Sequence, residues 1–382
     1  MSDPYDVIVI GAGMIGASCA AELAAHKLKV MVLDASQASC GATGSCMGHI
    51  LLMDDSEAQL QLTLYSKKLW LDLVKAYPVE SDYLACGTLW VATDDEEMTV
   101  VHTKAKNYAD YGVITEVLDS KTLYQWEPNL RPGLVGGLRI PDDCVVYAAG
   151  CVQLLLRDIE VRQQHRVKEI CDHAVVLEDG SILKADIIIN AAGITSPKLT
   201  PGLPVEPRKG HLVVTERYPN FCTHQIVELG YIKSAGKMNK ESVAFNIQPR
   251  LSGQYLIGST RELVGFNDEV NRSLVSRMVQ KACEFMPGLA DLMAIRVWAG
   301  FRPATPDKLP LIGKWPTVEG LYIATGHEGL GIATSQGTAA LLAAEIVGKV
   351  PEIDPAPYPE ENRCQFRPDR RHGECQTDRR GY

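Results

Sequence analysis

The chain has 382 residues, 46% of them hydrophobic and 22% charged, enough for about two domains and ordinary for a globular protein. That composition excludes a disordered or fibrous chain, and a formal net charge of −9 provides no basic field for phosphate backbones or anionic lipid. No apolar run reaches the roughly 18 residues of a membrane helix, and the chain opens on Met1-Ser2-Asp3 rather than a basic targeting region. A cytoplasmic protein is expected, with no nucleic-acid partner, no transmembrane segment, and the inner membrane reached only through partner subunits. The 11 cysteines contain no CxxC spacing and read as reduced thiols.

In chain order, Tyr5 to Ile10 is a short apolar run, Ala17 to Ala25 has helical composition, and Lys29 to Leu33 is a second apolar run ending in Asp34. Glu57 to Tyr77 carries Leu60, Leu64, Leu69, Trp70 and Leu73 at roughly helical spacing, Thr88 to Ala92 alternates as a strand, and Glu97 to Tyr111 reads as a surface helix. Ala185 to Asn190, ending in Ala191-Ala192-Gly193, has the style of a parallel strand. Gly210 to Thr215, Ser242 to Ile247 and Gln254 to Ile257 are β-rich runs separated by Gly, Pro and Asn, which predicts a mainly antiparallel sheet. Gly320 to Thr325 then leads through a Gly-rich loop into the helix-like stretch Thr334 to Val347. From Pro355 the composition turns polar and Arg-rich, so a mobile tail is expected. Cys364, His372 and Cys375 within it match no zinc spacing, and no metal site is expected.

The turn after the first strand reads Gly11-Ala12-Gly13-Met14-Ile15-Gly16. Gly11 suits a tight turn, Gly13 lets backbone N–H groups approach a pyrophosphate at a helix start, and Gly16 allows the helix to pack closely on the strand. Asp34, at the end of the next strand, stands where a carboxylate accepts hydrogen bonds from an adenosine ribose. This is a dinucleotide fingerprint in its proper setting. The small side chains from Ser39 to His49 would let backbone run tightly along a cofactor, where a plain NAD domain more often begins its next helix. Near the other end, Gly326-His327-Glu328-Gly329-Leu330-Gly331 is a second glycine-rich strand-to-helix turn, able to aim N–H groups at the edge of a reduced flavin ring.

Taken with Asn190-Ala191-Ala192-Gly193, Gly300-Phe301-Arg302-Pro303 and Thr305-Pro306-Asp307, these motifs resemble the D-amino-acid oxidase superfamily of flavoenzymes, over nearly the whole body of the chain. Met47-Gly48-His49, Arg208-Lys209-Gly210-His211-Leu212, Glu228 to Ser234 and Phe245-Asn246-Ile247-Gln248-Pro249-Arg250 further resemble the catalytic flavin subunit of bacterial D-hydroxyproline dehydrogenases. The resemblance implies an α/β fold: a Rossmann-type FAD-binding domain and a substrate domain built on a second, mainly antiparallel sheet with helices. The expected FAD-binding segments are 1–55, 147–208 and 297–354, the substrate segments 56–146 and 209–296, and the tail 355–382. It also implies FAD as cofactor, hydride transfer from the substrate Cα to flavin N5, an imine product, and possible electron-transfer subunits as partners.

The expected FAD contacts are Gly11, Gly13, Met14, Ile15, Gly16, Asp34, Ala35, Ser45, Gly48, His49, Ala192, Gly193, Gly326, His327, Gly329, Leu330 and Gly331. Arg302 is the expected anchor for the substrate carboxylate, because a planar guanidinium binds both oxygens; a structural ion pair is the alternative. Tyr231 and Lys233 share one face of an expected strand, with Tyr231 open between a substrate contact and a core position. His49 and His327 are expected beside the flavin ring, where they would tune its potential or the substrate amine, with His211 ranked below both. Glu328 is open between orienting His327, binding the amine and facing solvent. Between Tyr147 and Val176 the crossover looks too short for a full helix, turn and strand, which favours a flavin-binding subunit without catalysis as the reading of another class. Within catalysis, the alternatives are a dehydrogenase of cis-4-hydroxy-D-proline or proline with a non-oxygen acceptor, and an oxidase of glycine, sarcosine or another D-amino acid that releases hydrogen peroxide. An opine-type substrate is a third possibility.

Overall fold

The computed structural model describes residues 5–230 and 241–359. β1 (Tyr5–Ile10), α1 (Met14–Ala25) and β2 (Val30–Leu33) form the opening unit, and β3 (His49–Ile50) follows the small-residue stretch. Next come α2 (Glu57–Ala76), β4 (Thr88–Ala92), α3 (Asp95–Asp110), β5 (Glu116–Asp119), α4 (Ser120–Trp126), β6 (Gly136–Ile140) and β7 (Cys144–Val145). The chain continues through α5 (Ala148–Leu156), β8 (Glu160–Arg162), β9 (Val167–Cys171), β10 (Ala174–Leu177), β11 (Ile182–Asn190) and the short α6 (Ser196–Leu199). β12 (Glu206–Thr215), β13 (Gln225–Glu228), β14 (Glu241–Pro249), β15 (Tyr255–Glu262), α7 (Arg272–Phe285) and β16 (Ala294–Ala304) follow, then β17 (Leu311–Lys314), β18 (Leu321–Thr325) and α8 (Gly331–Ile346).

Two sheets result. The first runs β17-β18-β11-β1-β2-β8, with the β9–β10 hairpin attached to β11. β1 sits between β2 and β11, parallel to both, and β8 and β18 extend the parallel set on either side. The four residues Val7 to Ile10 are buried on both faces, as a strand covered by helices on both sides requires. The second sheet runs β16-β12-β15-β14-β13-β4-β6-β5 and is antiparallel except where β13 meets β4. Amphipathic α7 covers one of its faces through Leu274, Met278, Ala282 and Phe285. The fold is therefore α/β, with a parallel sheet beside a mainly antiparallel one.

Three details of the structure bear on these expectations. The crossover is short but complete: α5 starts at Ala148, four residues before the apolar run at Val152, and three residues link it to β8, which pairs with β2. Small residues make that early start possible, since a Cβ on Gly150 would lie 2.5 Å from the Glu80 carbonyl oxygen. Second, α2 lies within 56–146, yet Leu62, Trp70 and Val74 are buried in the same apolar cluster as β1 and α1. The Trp70 indole also donates to the Ile332 carbonyl of α8 at 2.8 Å. Third, the tail does not leave the body at Pro355, because Tyr358 is 1% exposed and its hydroxyl donates to the Ala58 carbonyl at 2.8 Å. Cys364, His372 and Cys375 lie outside the described residues.

A buried ion pair joins α2 to the residue before β7: Lys67 Nζ lies 2.6 Å from Asp143 Oδ1, with the side chains 8% and 1% exposed. Burial pushes the Asp143 carboxyl up, and the Lys67 ammonium opposes that shift. Removing one member of such a pair leaves a buried charge uncompensated. We expect Lys67→Met to destabilise the holoprotein by about 3–5 kcal/mol in denaturant unfolding, and the double variant Lys67→Met/Asp143→Leu to recover most of that loss. Equal stability of the single variant and the wild type would show the pair to be dispensable.

Candidate active site

A cavity of about 920 Å³ runs from the end of β1 to the wall of the second sheet, near the top of the range of roughly 300–1,000 Å³ for ligand pockets. At one end the β1–α1 turn packs so tightly that a Cβ on Gly16 would lie 1.9 Å from the Gly11 carbonyl oxygen. Gly13 precedes the first turn of α1, and the Met14 N–H is held by Thr43 Oγ1 at 2.9 Å. Asp34 is fixed at the end of β2 by the Ala12 N–H at 2.7 Å and the Ser36 N–H at 2.8 Å. The carboxylate is thereby held in place at the cavity edge.

The small-residue stretch then crosses the cavity. Gly48 has φ +77, and a Cβ there would lie 2.1 Å from the Val146 carbonyl oxygen, so only glycine fits between β3 and β7. Arg250 clamps the same point by donating to the Val146 carbonyl at 2.9 Å and the Met47 carbonyl at 3.3 Å. The Trp298 indole donates to the Ser45 carbonyl at 3.2 Å, fastening the stretch to β16. These bonds satisfy backbone that runs outside any regular strand or helix.

At the far end, His49 on β3 and Arg302 on β16 both line the cavity. Burial pushes the His49 imidazole down to about 4, with the Arg302 guanidinium adding to the shift and a backbone hydrogen bond with Gly329 opposing it. The ring is neutral at neutral pH. Arg302 donates to the Thr260 carbonyl at 3.1 Å, and its guanidinium covers Gly210, where a Cβ would lie 2.3 Å from Nη1. Glu328, at φ +46, is paired with Arg208 at 2.7 Å and with Arg261 at 3.7 Å. Burial alone would raise the Glu328 carboxyl, but Arg208, Arg261 and Arg302 hold it below the usual carboxylate value. Three guanidiniums around one carboxylate leave this corner net positive, which suits an incoming carboxylate.

Of the expected contacts, Gly11, Gly13, Met14, Ile15, Asp34, Ala35, Ser45, Gly48, His49, Ala192, Gly193, His327, Gly329, Leu330, Gly331 and Arg302 all line this one cavity. Gly16 and Gly326 stand behind its wall and shape the two turns instead. His327 turns its ring toward α8, where Nε2 meets Thr338 Oγ1 at 2.9 Å. Glu328 serves Arg208 and Arg261. His211 is fully buried between Thr260 Oγ1 at 2.7 Å and the Asn271 N–H at 3.1 Å, a structural role. Tyr231 and Lys233 lie outside the described residues.

Sequence reasoning missed the wall contributed by the second sheet: Trp90, Gln225, Val227, Asn246, Ser259 and Arg261. A signal did exist, because Gln225 and Asn246 are polar residues buried within apolar strands. Such residues need a partner, and a cavity is one place to find it.

The cavity spans two helix starts, Met14 and Gly331, that can face an anionic or electron-rich group. A Cβ on Gly13 would sit 3.2 Å from Thr43 Oγ1, in the cradle where a pyrophosphate fits. Comparison with known proteins agrees: the family model for FAD dependent oxidoreductases matches residues 6–345. Glycine oxidase of Pseudomonas putida is 26% identical over 379 residues, covering 94% of this chain and 98% of that protein. D-amino acid dehydrogenase of Vibrio cholerae is 30% identical over 304 residues, covering 74% of this chain and 68% of that protein. Among solved structures, L-proline dehydrogenase from P. horikoshii superposes with a TM-score of 0.86 at 20% identity, covering 96% of this chain and 99% of that one, a likeness of fold. The chain belongs to the family of FAD dependent oxidoreductases and is an enzyme of its amino-acid oxidase and dehydrogenase branch, with FAD as cofactor.

Proposed function

We propose that this enzyme dehydrogenates the C–N bond of a small amino acid to the imine, with cis-4-hydroxy-D-proline as the best-fitting substrate and proline next. Electrons would pass to an acceptor other than oxygen, a quinone or a partner subunit. The observation that carries the amino-acid reading is that the Arg302 guanidinium and a neutral His49, within electrostatic reach of each other, line the same cavity. The motifs around Met47-Gly48-His49, Arg208 to Leu212 and Phe245 to Arg250 support the narrower substrate. In this reading, segments 1–55, 147–208 and 297–354 hold the cofactor, joined by α2, while the rest of 56–146 and 209–296 hold the substrate.

Bound FAD supplies the two-electron acceptor for the substrate's α-hydrogen. Arg302 binds the carboxylate through both oxygens and so fixes the rotation of Cα. His49 adds no positive charge beside the amine in the neutral range, and with its value near 4 it acts as a neutral hydrogen-bonding wall rather than as a proton acceptor. Gly11, Gly13, Met14 and Ile15 hold the pyrophosphate, Asp34 and Ala35 the ribose side, and the Gly329 to Gly331 turn presents the positive start of α8 to the ring. The apolar side chains of Val227 and Leu330 help keep water away from the reacting bond. A second reading, an oxidase of glycine or another D-amino acid, is favoured by the glycine oxidase of P. putida as a relative over 94% of this chain. The complete crossover removes the feature that had favoured a subunit without catalysis.

Peroxide yield separates the two readings. In turnover with a dye acceptor and in air, we expect little hydrogen peroxide; stoichiometric peroxide would install oxygen as the acceptor and sink the dehydrogenase reading. Arg302→Lys should raise KM by about 10- to 100-fold, because a point charge replaces a planar fork, while the flavin spectrum persists. An unchanged KM would move Arg302 to a structural role. His49 also links pH to stability. Its folded value near 4 lies below the ordinary 6.5, so the unfolded chain binds the extra proton between them and stability falls as pH drops from 6.5 toward 4. Thermal unfolding of His49→Gln should show a shallower fall across that window; an identical slope would contradict the assignment.

A further inference from the structure

Arg302 is held by two strands besides its own. Its guanidinium leaves β16 and lies over Gly210 of β12, where a Cβ would sit 2.3 Å from Nη1, 2.6 Å from Nη2 and 2.7 Å from Cζ. Contact with all three atoms means that the planar group lies across this glycine, and a side chain at 210 would push it aside. Beyond Gly210, Nη1 donates to the Thr260 carbonyl of β15 at 3.1 Å.

That carbonyl stands at an irregular point of the sheet. Between the pairs Lys209–Glu262 and Val213–Ile257, β15 carries one residue more than β12. Such a bulge interrupts the ladder that would otherwise fix the backbone. His211, opposite the bulge, supplies another hold. Its backbone N–H donates to Thr260 Oγ1 at 3.0 Å, and its Nδ1 meets the same oxygen at 2.7 Å. The Asn271 N–H, which can only donate, lies 3.1 Å from His211 Nε2. Nε2 is therefore the acceptor, and in the neutral ring Nδ1 carries the hydrogen and donates to Thr260. Burial pushes the His211 imidazole down, against Glu262 and together with Lys209 and Arg302, so the neutral ring is favoured. Two donors from one residue thus fill both lone pairs of the Thr260 hydroxyl. Asn271 is the N-cap of α7, and its side chain donates to Glu262 Oε1 at 2.8 Å, so this hold is itself anchored. His211 and Thr260 are both fully buried, and neither lines the cavity.

We propose that Thr260 and His211 are positioning residues for the substrate carboxylate: they set the plane of the Arg302 guanidinium, and through it the angle at which the carboxylate is gripped. This rests on the amino-acid reading above, in which Arg302 is the anchor. A two-pronged grip needs two N–H groups aligned with two oxygens, so a tilt of the fork weakens it. Because the fork is rigid, the flat contact on Gly210 and the bond through Nη1 fix its plane.

Ligand binding and kinetics on the FAD-loaded full chain test it. Thr260→Val keeps the shape and removes the hydroxyl. It should raise KM for cis-4-hydroxy-D-proline, and Kd for pyrrole-2-carboxylate read from the flavin spectrum, by about tenfold. That ligand carries the carboxylate but has no hydrogen on Cα to give up. Thr260→Ser should restore both values to within about twofold of the wild type. In the Arg302→Lys background, which already lacks the planar fork, Thr260→Val should change neither value by more than about twofold. A role confined to stability would act equally in both backgrounds. Should Thr260→Val fail to hold FAD, His211→Gln takes its place in the cycle. Its amide keeps an acceptor for Asn271 and loses the donor to Thr260, and the same changes are expected. Unchanged KM and Kd in the variant, or an equal rise with and without Arg302, would overturn the inference and leave the amino-acid reading intact. Failure of every amino acid to reduce the flavin would overturn that reading, and this inference with it.

Discussion

The start of α1 can approach β1 only because Gly16 has no side chain: its Cβ would sit 1.9 Å from the Gly11 carbonyl oxygen. That approach places the N-terminus of α1 at the cavity, and α8 packs alongside α1 with its own first turn facing the same space. Gln336 of α8 donates to Ser18 of α1 at 3.0 Å, and Trp70 of α2 ties down the first turn of α8 from the other side. Two helix starts separated by more than 300 residues in sequence thus converge on one cavity. Helix dipoles act over about the first turn, so this convergence, and not the fold class alone, prepares the site for an anionic and electron-rich cofactor.

Charge at the far end follows from one carboxylate. Glu328 takes up Arg208 and Arg261 in ion pairs and still leaves its corner net positive, because Arg302 also projects there from β16. Its left-handed backbone, φ +46, is a conformation that a non-glycine residue adopts at some cost. The same turn carries His327, whose Nε2 meets Thr338 Oγ1, and Gly329, which bonds His49. One short turn therefore links the arginine cluster, the first residues of α8 and His49, whose neutral state comes from burial against the opposing Gly329 bond.

The parts of the site that were legible in the sequence are those encoded over short distances. Gly11 to Gly16, Asp34 and Gly326 to Gly331 could be read because strand, turn and helix start are contiguous there. Trp90, Asn246 and Arg261 could not, because their meeting depends on the register of β4, β13, β14 and β15, which no local pattern records. Similarly, α2 has an ordinary amphipathic pattern that does not say which sheet it covers; Trp70 decides that through a bond to Ile332. The crossover misled for a related reason. The first turn of α5, Ala148 to Gly150, lies ahead of the apolar run at Val152, and it fits there because Gly150 leaves no Cβ against the Glu80 carbonyl.

The central claim is that this cavity holds an FAD which a small amino acid can reduce. The most direct measurement is the anaerobic absorption spectrum of the purified holoprotein before and after addition of cis-4-hydroxy-D-proline, with L-proline, sarcosine and glycine alongside. The account predicts loss of the flavin bands with hydroxy-D-proline, and faster than with the other three. A flavin spectrum that no amino acid bleaches would contradict it.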